Sequence, residues 1–370
     1  MLRRAKEINE NAIVVACGCY AQVGKEELKK IEEIDLILGN NEKNEIVEVI
    51  ENYIKQQGNK EYVSDVMYKT EYVELGLTTY TEKTRAVIKV QDGCDRFCSY
   101  CLIPFARGHI RSRDLENVVE EIKKIVSEGI NEVVITGIHI ASYGKDLKNG
   151  KGLIDLLEEI NKIDGLHRIR LGSLEPVVID DDFAERLSKL DKICDHFHLS
   201  LQSGCTETLK RMNRRYTTEE FEAVTKRLRA KFPNVALTTD IIVGFPGETE
   251  EEFNKTYEFL KKIKFYQMHI FKYSPRKGTK AAVMPNQIDG SVKEERSKKL
   301  IELSKENQST YNQQYIENEL EVLFEEREGE FIKGHTTNYI TVKYKSDCDD
   351  FINKIVKVKI KSAKEDYLIG

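Results

Sequence analysis

Three cysteines, Cys94, Cys98 and Cys101, stand in the run Gln91-Asp92-Gly93-Cys94-Asp95-Arg96-Phe97-Cys98-Ser99-Tyr100-Cys101, a C-x3-C-x-aromatic-C triplet directly after the apolar segment 85–90. Three thiolates in one short loop can grip three irons of a 4Fe-4S cube and leave the fourth iron open to a small molecule. Zinc would want a fourth ligand at comparable spacing, and the nearest candidate is His109. A structural disulfide is disfavoured, since three cysteines cannot pair off and the sequence holds no apolar signal-like segment. On spacing, the cluster reading leads.

The other cysteines sort by neighbourhood. Cys194, Cys205 and Cys348 read as ordinary free thiols. Cys17 and Cys19 differ, because they end a strand-like run, 12–16, at the turn Cys17-Gly18-Cys19-Tyr20-Ala21-Gln22, and strand ends that open into helices are where α/β folds put ligands. On its own, C-x-C remains compatible with a buried structural pair.

The elements that must position these residues follow from pattern. Residues 1–57 read as part of an α/β unit, with strands at 12–16 and 35–38 and helices at 24–33 and 42–56. No strand precedes 12–16, and a two-strand layer is marginal, so the expectation is that the start of this domain lies outside the sequence. Residues 58–84 are polar, Tyr-rich and without period, and are expected as linker. From 85 to 310, strands near 85–91, 132–136, 167–172, 195–201, 236–243 and 266–273 alternate with helices near 114–128, 152–163, 180–190, 217–230 and 249–263. Such alternation predicts parallel strands with right-handed crossovers, a partial (βα)6 barrel. A charged helix at 290–318 follows. Period-two runs at 320–325, 339–344 and 355–360 then predict a small antiparallel β-barrel over 311–370.

Polar or glycine residues stand at each strand end, where barrels of βα units collect their chemistry: Thr136 and Gly137, Ser173 and Glu175, Gln202, and Val243 before Gly244. Glycines let backbone approach a ligand, and the polar groups suit an amino group, a carboxylate and ribose hydroxyls. Composition adds limits. The 370 residues are 33% charged with net charge −5, so the chain as a whole is not polycationic and RNA contact would rest on local basic runs. No run approaches the roughly 18 apolar residues of a membrane span. The expected location is cytoplasmic.

The triplet with its flank 102–113, the run Leu199-Ser200-Leu201-Gln202-Ser203-Gly204-Cys205 and the run Thr239-Asp240-Ile241-Ile242-Val243-Gly244-Phe245-Pro246-Gly247 resemble the radical S-adenosylmethionine (SAM) methylthiotransferases. Segments 137–144, 210–217 and 273–279 look most like the branch acting on threonylcarbamoyladenosine in tRNA. The resemblance implies an N-terminal domain with a second 4Fe-4S cluster, a radical core and a C-terminal TRAM barrel that helps hold tRNA. It implies that one SAM methylates sulfur at the second cluster. Another is reductively cleaved at the first cluster to a deoxyadenosyl radical that activates C2 of the adenine. Cys94, Cys98 and Cys101 would hold the first cluster and Tyr100 would pack beside the adenine of SAM. Thr136, Gly137, Ser173, Glu175, Gln202 and Val243 become candidates for the remaining SAM contacts. Arg211, Arg214, Arg215, Arg276 and Lys277 are candidates for the tRNA anticodon loop. The implied electron donor is a flavodoxin or ferredoxin.

Relative to this pattern, Cys19 matches the last of three family ligands to the second cluster. The segment carrying the other two would precede Met1, which leaves Cys17 as a makeshift second thiolate. Sister activities in the same family act on isopentenyladenosine in tRNA or on an aspartate of a ribosomal protein. The reading from another class is an iron-sulfur protein that binds tRNA without turnover.

Overall fold

The computed structural model describes residues 2–55, 58–69, 71–74 and 84–370. The N-terminal unit runs α1 (Leu2–Ile8), β1 (Val15–Cys17), α2 (Cys19–Val23), α3 (Lys25–Leu28), β2 (Leu36–Leu38), α4 (Ile46–Ile54) and β3 (Glu61–Tyr62). Its three strands form one parallel sheet in the order β1-β2-β3. The layer therefore has three strands rather than two, and the third lies in the stretch expected as linker. A two-residue strand is too short to leave a period in the sequence. The predicted helix 24–33 is present only as α3, because after Leu28 the chain turns toward Asp35, whose carboxylate accepts from the Val14 amide at 2.7 Å. Residues 56, 57, 70 and 75–83 lie outside the described residues.

The central unit begins with β4 (Arg85–Asp92), α5 (Ile103–Arg107), β5 (Arg111–Ser112), α6 (Leu115–Ser127), β6 (Glu132–Gly137), α7 (Leu153–Asn161) and β7 (Arg168–Leu171). It continues through α8 (Asp181–Ser188), β8 (His196–Gln202), α9 (Thr206–Arg211), α10 (Thr218–Lys231), β9 (Ala236–Val243), α11 (Glu250–Ile263), β10 (Gln267–Lys272) and α12 (Gly290–Gln313). The six expected strands and the five crossover helices fall within two residues of their predicted limits. The strands pair in parallel as β4-β6-β7 and β8-β9-β10, with β5 antiparallel on the edge of β4. Between β7 and β8 the ladder is reduced to the isolated bridges Ile169↔Ile193 and Leu174↔Leu199, so the curled wall is two sheets rather than one.

Alternation along each strand sets what faces where. Phe197, Leu199 and Leu201 of β8 join Leu237, Ile241 and Val243 of β9 in the core under the helices. His196, His198, Ser200 and Gln202, with Thr238, Asp240 and Ile242, take the opposite, inner face. The helices bury stripes such as Leu115, Val118, Ile122 and Ile125, spaced for a 3.6-residue period. Capping boxes Thr217/Glu220 and Thr249/Glu252 start α10 and α11 and satisfy otherwise orphaned amides.

The C-terminal sheet comprises β11 (Glu319–Glu328), β12 (Phe331–Thr336), β13 (Thr341–Lys345), β14 (Ile355–Lys359), β15 (Ser362–Ala363) and β16 (Leu368–Ile369), ordered β14-β11-β12-β13-β16-β15. All pairings are antiparallel except β13 with β16. The strand β12 was not expected. It carries Gly334 where a Cβ would lie 2.1 Å from the Leu323 carbonyl oxygen. β13 starts two residues later than predicted, because Tyr339, at φ 65, is left-handed and cannot extend a strand.

This sheet closes the end of the central unit where the strands begin. Arg168 donates to the His335 and Glu321 carbonyls, both at 3.0 Å, and Arg170 donates to the Thr336 and Thr337 carbonyls. The Tyr339 ring stacks between His196 and His335 at 4.9 and 4.7 Å. Among the described residues no helix is long and apolar enough to cross a membrane.

Candidate active site

The cysteine loop leaves β4 at the opposite end, where the strands finish. Gln91, wholly buried, ties it down: its amide nitrogen donates to the Asp92 and Gly93 carbonyls, and its oxygen accepts from the His139 amide at 2.7 Å. Gly93 sits at φ 72, and a Cβ there would fall 1.8 Å from the His109 carbonyl oxygen, so only glycine fits. Ser99 fixes the middle of the loop, its amide donating to the Met212 carbonyl at 3.0 Å and its hydroxyl to the Arg211 carbonyl at 2.8 Å.

All three loop cysteines are free and half-buried. The Ile103 amide donates to Cys101 Sγ at 3.4 Å, and Arg214 Nη1 donates to Cys98 Sγ at 3.5 Å. Burial, reinforced by the charges of the neighbouring thiols, pushes Cys94 up to about 11 and also raises Cys101. Thiols raised in this way, Cys94 and Cys101, are stabilised as thiolates by a cationic occupant beside them. Among the described residues, the His/Cys/Asp/Glu group whose ligand atoms converge within 4.8 Å is His198, Asp240 and His269, not the triplet. The triplet is therefore set wider than the single zinc ion considered from sequence, and its all-sulfur donor set suits an iron-sulfur cluster. His109 is half-exposed and engaged with Asp95 at 2.6 Å.

Behind the loop lies a buried charge network. Glu175, 3% exposed, meets Arg96 from the cysteine loop, His139 Nε2 at 3.1 Å and Arg214 Nη2 at 3.5 Å. Burial pushes the Glu175 carboxyl up, but the His139 hydrogen bond and the charges of Arg214 and Arg96 outweigh it and hold the group below its ordinary range. Arg214 also donates to the Ser200 carbonyl at 3.0 Å and to Tyr216 Oη at 2.9 Å. One arginine thus reaches a cysteine of the triplet, the Glu175 carboxylate and the end of β8.

A cleft of about 610 Å³ opens beside the loop. Tyr100, Cys101, Gln202, Asp240, Phe271 and Arg276 contribute to its wall, and Cys19 and Tyr20 of the N-terminal unit close it from the other side. The two units are stitched there by Arg107 Nε to Cys19 Sγ at 3.1 Å and by Asn40 Nδ2 to the Ala106 carbonyl at 2.6 Å. Cys19 of the N-terminal unit and Cys101 of the cysteine loop therefore line one cavity.

The expected site residues divide on placement. Tyr100, Gln202, Cys19 and Arg276 line the cleft. Thr136, Gly137 and Ser173 lie at the ends of β6 and β7 but are not in its lining, and Ser173 Oγ is 2.6 Å from Ser200 Oγ. Val243 is wholly buried in the helix-side core, and its carbonyl accepts from the Tyr273 amide. Arg214 was expected to face RNA and is instead buried on Cys98 and Glu175. Arg211 is held bidentate by Glu252 at 2.6 and 2.8 Å. Lys277 pairs with Glu27 at 3.0 Å, and Arg215 is exposed. Sequence reasoning passed over Gln91, Arg96 and His139. Their one signal was polar type at or beside strand ends already marked for ligands.

The model of the radical SAM superfamily matches residues 88–260. Threonylcarbamoyladenosine tRNA methylthiotransferase MtaB of Bacillus subtilis (strain 168) is 41% identical over 100% of this chain and 83% of that protein. MtaB of Aquifex aeolicus is 40% identical over 96% of this chain and 85% of that protein. The tRNA-2-methylthio-N(6)-dimethylallyladenosine synthase of Caldicellulosiruptor saccharolyticus is 37% identical over 100% and 79%. Among solved structures, the radical SAM methyltransferase TsrM of Kitasatospora setae, with tryptophan and a SAM analog bound, superposes with a TM-score of 0.57 at 16% identity. That match covers 73% of this chain and 58% of TsrM, and it is a likeness of fold alone.

Proposed function

The chain belongs to the radical SAM methylthiotransferases, enzymes that use a 4Fe-4S cluster and SAM, and from that membership we propose that it methylthiolates C2 of N(6)-threonylcarbamoyladenosine next to the anticodon of tRNA. The observation that carries the reading is the single cleft joining Cys19 to Cys101 with Arg276 on its wall. Arg276 is exposed and has no ion-pair partner among the described residues. A guanidinium in that position suits the carboxylate of a threonylcarbamoyl group better than the apolar dimethylallyl group of the sister substrate.

Cys94, Cys98 and Cys101 would hold the first cluster, and Cys19 would be one ligand of the second. When bound, cluster and SAM supply the one-electron chemistry that activates an unreactive C–H bond, and the protein's work is placement and exclusion of water. Tyr100 packs at the cleft wall beside Phe245 and flanks the expected adenine of SAM. Gln202, Ser173, Thr136, Gly137 and Glu175 are the groups proposed for its amino, carboxylate and ribose contacts. Arg214 acts through others, holding Cys98 and Glu175 in one frame. In this reading, residues 85–310 form the partial (βα)6 core, and the C-terminal sheet is a TRAM-like barrel. A flavodoxin or ferredoxin delivers the electron.

The test is nucleoside mass spectrometry of tRNA from cells lacking the gene, together with turnover on anticodon stem-loops. Loss of the methylthio form of threonylcarbamoyladenosine is expected. Loss of the methylthio form of isopentenyladenosine instead would overturn the substrate assignment.

A further inference from the structure

Tyr20 is 58% exposed and is yet held at its hydroxyl and along one ring edge. Its hydroxyl donates to Glu27 Oε2 at 2.6 Å. Its ring lies so close to Gly24 that a Cβ there would stand 2.9 Å from Cε2. Glu27 in turn accepts from Lys277 Nζ at 3.0 Å, in the loop that follows β10, an exposed pair with the lysine side chain 90% exposed, so the ring is oriented chiefly by Glu27 and by its contact with Gly24. The Tyr20 hydrogen bond, and after it the Lys277 bond, hold the Glu27 carboxyl below its ordinary range.

The fixed ring lines the cleft together with Phe271, which is 54% exposed. Uncovered aromatic surface on immobilised side chains is what flat π-faced ligands bind, at little entropic expense to the protein. Of the cations nearby, Lys272 is paired with Glu294 at 2.7 Å and Lys277 with Glu27, which leaves Arg276 on the cleft wall as the cation open to an anionic group of the ligand. A volume of about 610 Å³ is within the usual range for a ligand cleft. We propose that Tyr20 and Phe271 form a stacking site for an unpaired nucleobase entering the cleft, with the Glu27 hydrogen bond and the close approach of Gly24 setting the orientation of the Tyr20 ring. This inference rests on the reading of the substrate as tRNA.

The probe is an anticodon stem-loop RNA carrying 2-aminopurine at the target position, titrated into the anaerobically reconstituted enzyme and followed by anisotropy and by quenching of the base. Stacking predicts quenching on binding. Tyr20→Ala should weaken binding about 5- to 150-fold, the range for removing one stacked aromatic, and should abolish the quench. Tyr20→Phe keeps the ring and should keep most of it. Phe271→Ala, on a different unit, carries the same test should Tyr20→Ala fail to fold. Affinity and quenching unchanged in both alanine variants would overturn the stacking site and leave the RNA reading standing. A wild-type enzyme that binds no stem-loop would overturn the RNA reading and the stacking site with it.

Discussion

Replacing Glu175 by Gln removes the anion at the centre of the network behind the cysteine loop. Two guanidiniums then stay buried without it: Arg96, with a side chain 16% exposed, and Arg214, 7% exposed. Taking one partner from a buried ion pair costs about 3–5 kcal/mol. Arg214 keeps its bonds to the Ser200 carbonyl and to Tyr216, so the low end, about 3 kcal/mol, is expected. At roughly 2–4 °C per kcal/mol for a unit of this size, the midpoint of thermal unfolding should fall by about 6–12 °C. The assay is thermal and urea unfolding of cluster-free, SAM-free protein at pH 7, with the urea midpoint moving at constant slope. If Glu175 served only to contact SAM, stability in the absence of SAM would not change. A shift under about 1 kcal/mol would therefore refute the argument.

Gly93→Ala places a methyl against the His109 carbonyl, backbone on backbone, and should cost at least about 2 kcal/mol and lower iron retention. Gly129→Ala, at φ 93 with nothing within 4 Å, should cost only about 1 kcal/mol in the same urea titration. Iron analysis after anaerobic reconstitution should find about four irons attributable to the triplet. Cys101→Ala should lose them, while Cys348→Ala, at an exposed thiol, should not. A pH effect is expected at the far end of the core. Burial raises the Glu325 carboxyl, but the 2.7 Å bond to His335 and the charge of Arg85 hold it below its ordinary 4.5. Its folded value lies under its unfolded one, so its contribution is complete above about pH 4.5 and lost as pH falls through the folded value. Glu325→Gln should flatten that acid limb of a stability-versus-pH profile.

The central unit was legible because each of its strands buries one apolar face under a helix with its own 3.6-residue stripe, so two periods alternate without ambiguity. The two-residue strands β3 and β5 carry no period, and β12 is interrupted by Gly334, which serves a close backbone approach. At the site, the cysteine loop announced itself by spacing, and Cys19, Tyr100, Gln202 and Arg276 lie on the cleft wall. What spacing could not supply was direction. Arg211 and Arg214 belong to one basic run, yet the chain turns one onto Glu252 and the other inward onto Cys98. Gln91 and His139 were hidden because the bonds joining them to the rest of the site span the sequence, from the Gln91 side chain to the His139 amide 48 residues on and from His139 to a carboxylate 36 residues further.

The C-terminal sheet docks where the parallel strands begin, while the cysteine loop and cleft lie where they finish. Eight-residue strands such as β4 and β9, at about 3.3 Å per residue, put roughly 25 Å between the two. If the proposed RNA substrate is held by the last sixty residues and reacts beside Cys101, it has to run along the flank of the molecule over that length. On that proposal the enzyme would gauge its substrate as a ruler does, and a loop cut free of its stem would be too short to reach both marks.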